Sequence, residues 1–275
     1  MVEKLKIDLK EVQETLLLPL WGRAVESKKV NPRLTDRKAV EIIDRIDYDF
    51  SRIAQNVSWV SQLAWVARSL HVDRAIRNFI SRYPEGFIVN IGCGLDTTYE
   101  RMANDQVRFY DLDLPEVTKL RKAFFRDHVR RKTLTGSFLD PGWIQQFNRQ
   151  DPGLFIAAGV FYYFDENRIR SFFISLADHF KFCEVFFDSA SPLGVRVANK
   201  RVIQDGGMDE TAILKWGIKS AKEIEAWDQR IKLITEVPMF KGFKKGYPPK
   251  TQYGLWWSDF LKIMSMVHLR IGAPA

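Results

Sequence analysis

The chain has 275 residues, of which 46% are hydrophobic and 28% charged, so it is long enough to bury a substantial core and is not a disordered protein. Its net charge of +8 is spread over several segments, which indicates a solvated basic surface; a nucleic-acid partner is not expected but not excluded. With two cysteines, four dispersed histidines and no long apolar run, the sequence predicts no metal site and no membrane partner, and a cytoplasmic location.

Helical spacing of apolar residues dominates the first 85 residues. The spacing predicts a helix over 8–26, interrupted late by Pro19, and a second helix capped by Asp36. A longer helix is predicted over 59–82, where His71 marks a candidate break. We therefore expect an N-terminal helical cap at 1–85 and a core at 86–275.

From residue 87 onward, short apolar strands alternate with helices. Strands are predicted at 87–92, 107–112, 131–138, 153–160 and 182–189. The helix predicted at 165–180 has the clearest apolar stripe, a helical pattern continues over 191–227, and a strand follows at 231–239. This alternation is typical of an α/β fold with a mostly parallel sheet covered on both faces.

The ends of the first two strands carry the most informative residues. A turn with Gly92 and Gly94 follows the first strand, and the second strand ends in Asp111 and Asp113. Glycines let the backbone turn sharply and approach a ligand closely, while an acid at the next strand end accepts hydrogen bonds from ribose hydroxyls. The pattern predicts a nucleoside-binding crevice, although a purely structural turn would look the same.

Two residues of the turn argue against a dinucleotide. Thr97 stands where the dinucleotide fingerprint has its third glycine, and the charge of Asp96 would repel a pyrophosphate. S-adenosylmethionine has no phosphates and carries an ammonium group, so an aspartate in the turn suits it better. A dinucleotide oxidoreductase is accordingly the least favoured alternative.

Six segments extend this interpretation to most of the chain. They are ETLLLPLWGRAVES at 14–27, DRKAVEIIDRIDYDF at 36–50, VNIGCGLDTTYERM at 89–102, YDLDLPEV at 110–117, GSFLDPGW at 136–143 and FIAAGVFYYF at 155–164. In this order and spacing they resemble the leucine carboxyl methyltransferase family, and most closely its bacterial branch of polyketide O-methyltransferases. The resemblance implies a class I, Rossmann-like methyltransferase that uses S-adenosylmethionine, with a seven-stranded sheet whose last strand is antiparallel and C-terminal lid insertions.

The resemblance also implies roles at the glycine turn. Gly92 and Gly94 match the turn that lies under the methionyl part of the cofactor. Asp113 matches the acid that holds the ribose, and Asp111 is the neighbouring alternative.

Four further residues match the family's cofactor contacts. Arg68 matches a basic residue that holds the cofactor carboxylate, a role that suits the two parallel hydrogen bonds of a guanidinium, and Arg23 is a candidate second ligand. Ser137 and Phe138 match the place where adenine is held, although Phe138 is equally consistent with plain core. A salt bridge on the helix surface is the alternative for Arg68.

The acceptor side is less defined. Ala158 stands in the cofactor region where leucine carboxyl methyltransferases proper carry a glutamate, which puts identical substrate handling in doubt. Tyr99, Tyr162, Tyr163 and Trp256 are candidates for the acceptor pocket, with core packing, or an amphipathic helix docked on the sheet, as the alternatives. No histidine or acid beside the turn stands out as a general base.

The expected function is O-methylation of a carboxylate or phenol on a small molecule. Relatives that modify a protein C-terminus or a tRNA base leave those substrates open as alternatives. A non-catalytic protein that binds S-adenosylmethionine is a further alternative, given the departure at Ala158.

Overall fold

In the computed structural model, which describes residues 4–6, 15–102, 106–205 and 213–273, seven strands form one sheet. The strands are β1 (Phe87–Ile91), β2 (Arg108–Asp113), β3 (Arg131–Thr135), β4 (Gly153–Ala157), β5 (Phe182–Ala190), β6 (Ile231–Pro238) and β7 (Met264–Gly272). Their order is β3-β2-β1-β4-β5-β7-β6, and only β7 runs antiparallel to its neighbours. The predicted α/β sheet, with its last strand antiparallel, is confirmed.

Helices cover the sheet and precede it. They are α1 (Leu17–Ser27), α2 (Arg37–Arg45), α3 (Ser51–Asn56), α4 (Trp59–Arg82), α5 (Thr98–Met102), α6 (Pro115–Arg121), α7 (Glu166–His179), α8 (Pro192–Asp205) and α9 (Pro249–Phe260). Side chains start two of them, because Asp36 accepts a hydrogen bond from the Ala39 N–H and Ser58 accepts one from the Ser61 N–H. Over the ranges described, no helix is both long and apolar enough to cross a bilayer.

Two apolar layers hold the helices to the sheet. On one face, Phe172 and Phe173 of α7 pack into the cluster that contains Phe87 and Phe155. On the other face, α4 and Leu255 of α9 pack against the remaining side chains of β1, β2 and β4. Every residue of β1, β4 and β5 is buried, as expected for central parallel strands covered on both sides.

These contacts divide the N-terminal region differently from the prediction. Helices α1 to α3 form a separate cluster that includes Leu95 of the glycine turn, whereas α4 belongs to the layer on the sheet. We therefore propose that the helical cap ends before α4, near residue 58, and not at residue 85.

Several predicted element ends were wrong for identifiable reasons. Pro19 does not interrupt α1, because it lies in the first turn, where its missing N–H has no helical partner to lose. Helix α4 continues through His71, whose ring nitrogen contacts the Met239 carbonyl at 3.1 Å. Strand β3 stops before Gly136 (φ 156°). The helix predicted over 191–227 ends at Asp205 in the described chain and resumes as a 3-10 helix at Ala221–Trp227, while 206–212, like 8–14 of the first predicted helix, lie outside the described residues.

Candidate active site

The glycine turn lies at the carboxyl end of β1 and requires both glycines. Gly92 and Gly94 have φ angles of 59° and 48°, a region that other residues rarely adopt. A Cβ at Gly92 would lie 2.7 Å from Val160, and one at Gly94 would lie 2.9 Å from Leu16, just before α1. The turn is therefore covered by the start of α1 on one side and by the loop after β4 on the other.

Asp113 ends β2 directly beside this turn. One carboxylate oxygen accepts a hydrogen bond from the Gly94 N–H at 2.7 Å, and the other accepts one from the Leu114 N–H at 2.8 Å. Burial raises the pKa of Asp113, while these two N–H donors act in the opposite direction. Asp113 is half-buried and forms no ion pair within the described ranges, so its carboxylate keeps the capacity to accept further hydrogen bonds.

Asp111, the alternative ribose ligand, already forms ion pairs with two arginines. It is 1% exposed, and one of its carboxylate oxygens lies 2.7 Å from both Arg121 and Arg131. Because side chains alternate along a strand, Asp111 and Asp113 share a face of β2, but only Asp113 reaches the turn. The sequence could not separate the two acids, and the structure favours Asp113.

Asp96 and Arg23 belong to a buried ion cluster. The carboxylate of Asp96 lies 3.6 Å from Arg23 and 3.8 Å from Arg101, and these arginines lower its pKa despite its burial. Arg23 also contacts Asp36 at 2.9 Å and donates to the Leu95 carbonyl at 3.4 Å. Asp96 as a ligand of the cofactor ammonium stays a prediction, and two arginines already balance the charge of its carboxylate.

The centre of this cluster is Asp36, which the sequence indicated only as a helix cap. Asp36 is fully buried and contacts both Arg23 and Arg101 while it caps α2. Arg101 also pairs with Asp73 of α4 at 2.9 Å. The cluster thus connects the helical cap, the glycine turn and α4.

Arg68 of α4 packs beneath the loop that follows β4. Its guanidinium is 2.9 Å from Asp188 of β5 and donates to the Tyr162 hydroxyl at 3.2 Å, while its Nε is buried without a hydrogen-bond partner. Burial alone would lower the pKa of Arg68, but Asp188 and the two nearby tyrosines raise it, so it stays charged. Gly159 (φ 83°) makes room for the group, because a Cβ there would lie 2.7 Å from the guanidinium.

Asp188 is a site residue that the sequence interpretation missed. It is fully buried, and its other oxygen accepts a 2.6 Å hydrogen bond from the Gly159 N–H. The signal was a carboxylate inside the apolar run of β5, because a buried charge needs a partner.

Ser137 and Phe138 are the predicted adenine contacts, and Ala158 is the position that departs from the family pattern. Ser137 is half-buried after β3 and accepts a hydrogen bond from the Leu139 N–H at 3.2 Å. Phe138 is 6% exposed and packs edge-on against Phe164 and Phe172, so it is a core residue, as the alternative interpretation had it. Ala158 is half-buried immediately before Gly159 and packs against the α4 layer.

The four acceptor-pocket candidates do not lie together. Tyr162 and Tyr163 pack edge-on beside the end of β5, with ring centroids 4.8 Å apart. Burial raises the pKa of Tyr162, so its hydroxyl stays protonated and does not act as a base. Tyr99 packs on Phe109 at the start of β2. Trp256 is 47% exposed on α9 and is not among the lining residues of the cavity described next.

A cavity of about 280 Å³ lies between the end of α1, the start of α4 and the segment before α9. It is lined by Glu26, Lys29, Trp59, Gln62, Leu63, Tyr247 and Thr251. Trp59 and Tyr247 form its aromatic wall, with ring centroids 5.5 Å apart, and Glu26 is its only acidic lining residue. None of the residues predicted to bind the cofactor lines this cavity. The cavity could not be predicted from the sequence, because its lining residues come from distant segments.

The sheet order, the antiparallel β7 and the turn beside Asp113 together define a class I methyltransferase. A model of the family "Leucine carboxyl methyltransferase" matches residues 17–177. The tetracenomycin polyketide synthesis O-methyltransferase TcmP of Streptomyces glaucescens is 30% identical over 222 residues, 80% of each chain. The chain therefore belongs to the leucine carboxyl methyltransferase family, as the sequence motifs indicated, and it is an S-adenosylmethionine-dependent methyltransferase.

One further relative and one solved structure are also similar to this chain. The S-adenosyl-L-methionine-dependent methyltransferase dpfgK of Gibberella zeae is 27% identical over 196 residues, covering 66% of this chain and 65% of that one. A crystal structure from Thermobifida fusca, provisionally assigned as a methyltransferase, superposes with a TM-score of 0.59 at 14% identity, over 92% of this chain and 94% of that one. At that identity the second match supports the fold alone.

The residues present fit S-adenosylmethionine at two points. Arg68 keeps a buried, unpartnered Nε donor, which suits a carboxylate. Asp113 keeps acceptor capacity beside the turn, which suits the ribose hydroxyls.

Proposed function

We propose that the protein transfers a methyl group to an oxygen of a small, polyketide-like molecule in the cytoplasm, either a carboxylate or a phenolic hydroxyl. The observation that carries this proposal is the 30% identity to a polyketide O-methyltransferase over 80% of both chains. The cofactor supplies an electrophilic methyl group on a sulfonium sulfur. The protein's task is to position the acceptor oxygen in line with that sulfur and to exclude water.

In this proposal, three parts of the chain bind the methyl donor. Arg68 holds the cofactor carboxylate, the backbone of Gly92 and Gly94 lies under the methionyl part, and Asp113 holds the ribose. Ser137 is the proposed polar contact for adenine. Arg23 acts through Asp96 by fixing the turn and not as a direct ligand, because Asp36 already occupies its guanidinium.

The acceptor is proposed to bind in the cavity walled by Trp59 and Tyr247. Two helices connect the cavity with the proposed cofactor ligands. Glu26 lies one helical turn beyond Arg23 on α1, and Gln62 lies six residues before Arg68 on α4, about 9 Å along the helix axis. The aromatic wall that Trp59 and Tyr247 form suits the face of a planar ring.

The two acceptor types place different demands on Glu26. A carboxylate acceptor is already ionised at neutral pH, whereas a phenol, with an ordinary pKa near 10, benefits from a base. Glu26 is 3% exposed and lines the cavity, where its oxygens accept hydrogen bonds from Lys29 and from the Arg33 N–H. It is the proposed base for a phenolic acceptor.

The test is methyl transfer from isotopically labelled S-adenosylmethionine to matched acceptors, 2-naphthoic acid and 2-naphthol, with mass spectrometry of the products. We expect an ester, an ether or both. Glu26→Gln should lower kcat for the phenol by about 10²-fold or more and leave the carboxylate reaction nearly unchanged. Labelling of a protein C-terminus or of tRNA, with no labelling of any small oxygen acceptor, would replace this proposal by the alternatives. Cofactor binding without any transfer would point to a non-catalytic protein.

A further inference from the structure

The segment 239–263 presents an exposed aromatic face, which we call the α9 face. Its members are large side chains that point away from the sheet: Tyr253, Trp256, Trp257, Phe260 and Leu261, with exposed fractions of 61%, 47%, 39%, 64% and 44%. Single exposed apolar residues are common on proteins, but five on one helix end form a continuous patch, which usually marks an interaction site.

The opposite side of the helix explains why this face points outward. Leu255, 2% exposed, packs into the layer on the sheet. Asp259 accepts a 3.0 Å hydrogen bond from the Phe240 N–H and pairs with Lys244. The helix is therefore firmly docked, and its aromatic side is left without a partner in the described part of the chain.

The same segment carries a concentration of positive charge. Residues 239–263 contain five lysines, one aspartate and no arginine, a formal charge of +4, which is half of the chain's +8. Lys244 and Lys262 form ion pairs, whereas none is found for Lys241, Lys245 and Lys250 among the residues that the structure describes. Aromatic rings flanked by lysines are the composition of helices that lie in a membrane interface.

We propose that the α9 face is a docking surface for an anionic lipid membrane, on which the protein sits peripherally. The aromatic rings would enter the headgroup region while the lysines contact anionic lipids, as they do on the cytoplasmic leaflet. This proposal departs from the expectation of no membrane partner, which concerned spanning segments. Because Thr251 of α9 also lines the cavity, the docked face would bring the cavity mouth close to the lipid.

Two other occupants fit the surface less well. A second copy of the chain, related by two-fold symmetry, would place +4 against +4 around the aromatic rings. Single-stranded RNA needs free ring faces on which bases stack, but here Trp256 and Phe260 already lie parallel to each other, with an interplanar angle of 11° and centroids 5.2 Å apart. Both occupants remain outcomes of the test.

The test is flotation of the full chain with vesicles of phosphatidylcholine alone and of phosphatidylcholine with 40% phosphatidylglycerol. We expect binding only to the anionic vesicles, and weaker binding at higher salt. The variant Trp256→Ser with Phe260→Ser should abolish binding, and Lys250→Glu should lower the partition coefficient at least about fivefold, the contribution of one lysine near an anionic surface. These side chains are exposed, so the melting temperature should not change.

Matched controls lie at the opposite edge of the sheet. Val129→Ser removes an 88% exposed apolar side chain and Lys122→Glu reverses an exposed charge, and neither should alter flotation. The proposal is overturned if the wild type binds neither vesicle type, or if the α9-face variants bind as the wild type does. It is also overturned if the same variants instead abolish a dimer in sedimentation, or retention on poly(U) RNA, while vesicles are not bound.

Discussion

The ion pair between Arg68 and Asp188 provides the sharpest test of the donor site. Removing Arg68 alone would leave Asp188 as an unpaired carboxylate with no solvent exposure, and breaking a buried pair in this way costs about 3–5 kcal/mol of stability. The informative change is therefore Arg68→Met combined with Asp188→Asn. It removes both charges together and keeps an oxygen to accept from the Gly159 N–H.

The expected effect of the double variant is a loss of affinity for ligands that carry the cofactor carboxylate. If its free Nε and a neighbouring N–H hold the cofactor carboxylate, the double variant loses a charge-assisted interaction of about 1.5–3 kcal/mol. This corresponds to a rise of about 10- to 150-fold in the Kd of S-adenosylhomocysteine. The Kd of 5′-methylthioadenosine, which has the same nucleoside but no carboxylate, should not change.

Isothermal titration calorimetry with both ligands gives the answer, and the single variant Arg68→Met serves as a control for stability. We expect the single variant to melt about 10 °C lower and the double variant to melt close to the wild type. Equal weakening of both ligands in the double variant would refute the reasoning, because it would show that Arg68 supports the site without binding the carboxylate.

Three other changes probe different parts of the molecule. Asp113→Ala should weaken both ligands alike, by about tenfold or more in calorimetry, since both carry the ribose; weakening of one alone would contradict the ribose assignment. Burial raises the pKa of Glu184, but hydrogen bonds from His268 and Arg82 lower it to about 2, so its contribution to stability is present above pH 4.5 and is lost as the pH falls towards 2. Urea unfolding of Glu184→Gln should lack that part of the acid dependence, and an unaltered pH profile would disprove the coupling. Asp36→Ala should lower the free energy of unfolding by about 3–5 kcal/mol, because two buried arginines lose their shared partner; a loss below about 1 kcal/mol would show that the cluster is not structural.

The sequence was sufficient for the fold and for the glycine turn, because both depend on local signals. Short apolar runs located β1, β2, β4 and β5 to within three residues at each end, and the turn at Gly92 followed from the glycine pattern. The ends of strands were less predictable where a single backbone angle determines the position at which the strand stops. Strand β4 stops at Ala157 because the chain turns at Gly159 with a φ of 83°.

Ion-pair partners could not be predicted in the same way. Asp96 and Arg23 are 73 positions apart, and only the tertiary arrangement of the cap over the turn makes them neighbours. The aspartate therefore looked free in the sequence although two arginines surround it. The cavity is a similar case, because Glu26, Trp59 and Tyr247 come from three distant segments.

Asp188 limits the expected effect of the departure from the family pattern at Ala158. The family resemblance implies a glutamate just before the glycine of the loop after β4, and an alanine there could have left Arg68 without a counter-charge. Asp188 supplies that charge from the neighbouring strand and also holds the Gly159 N–H, so the loop and the guanidinium are fixed without a carboxylate at 158. We therefore expect the alanine at 158 to leave the Arg68–Asp188 ion pair unchanged.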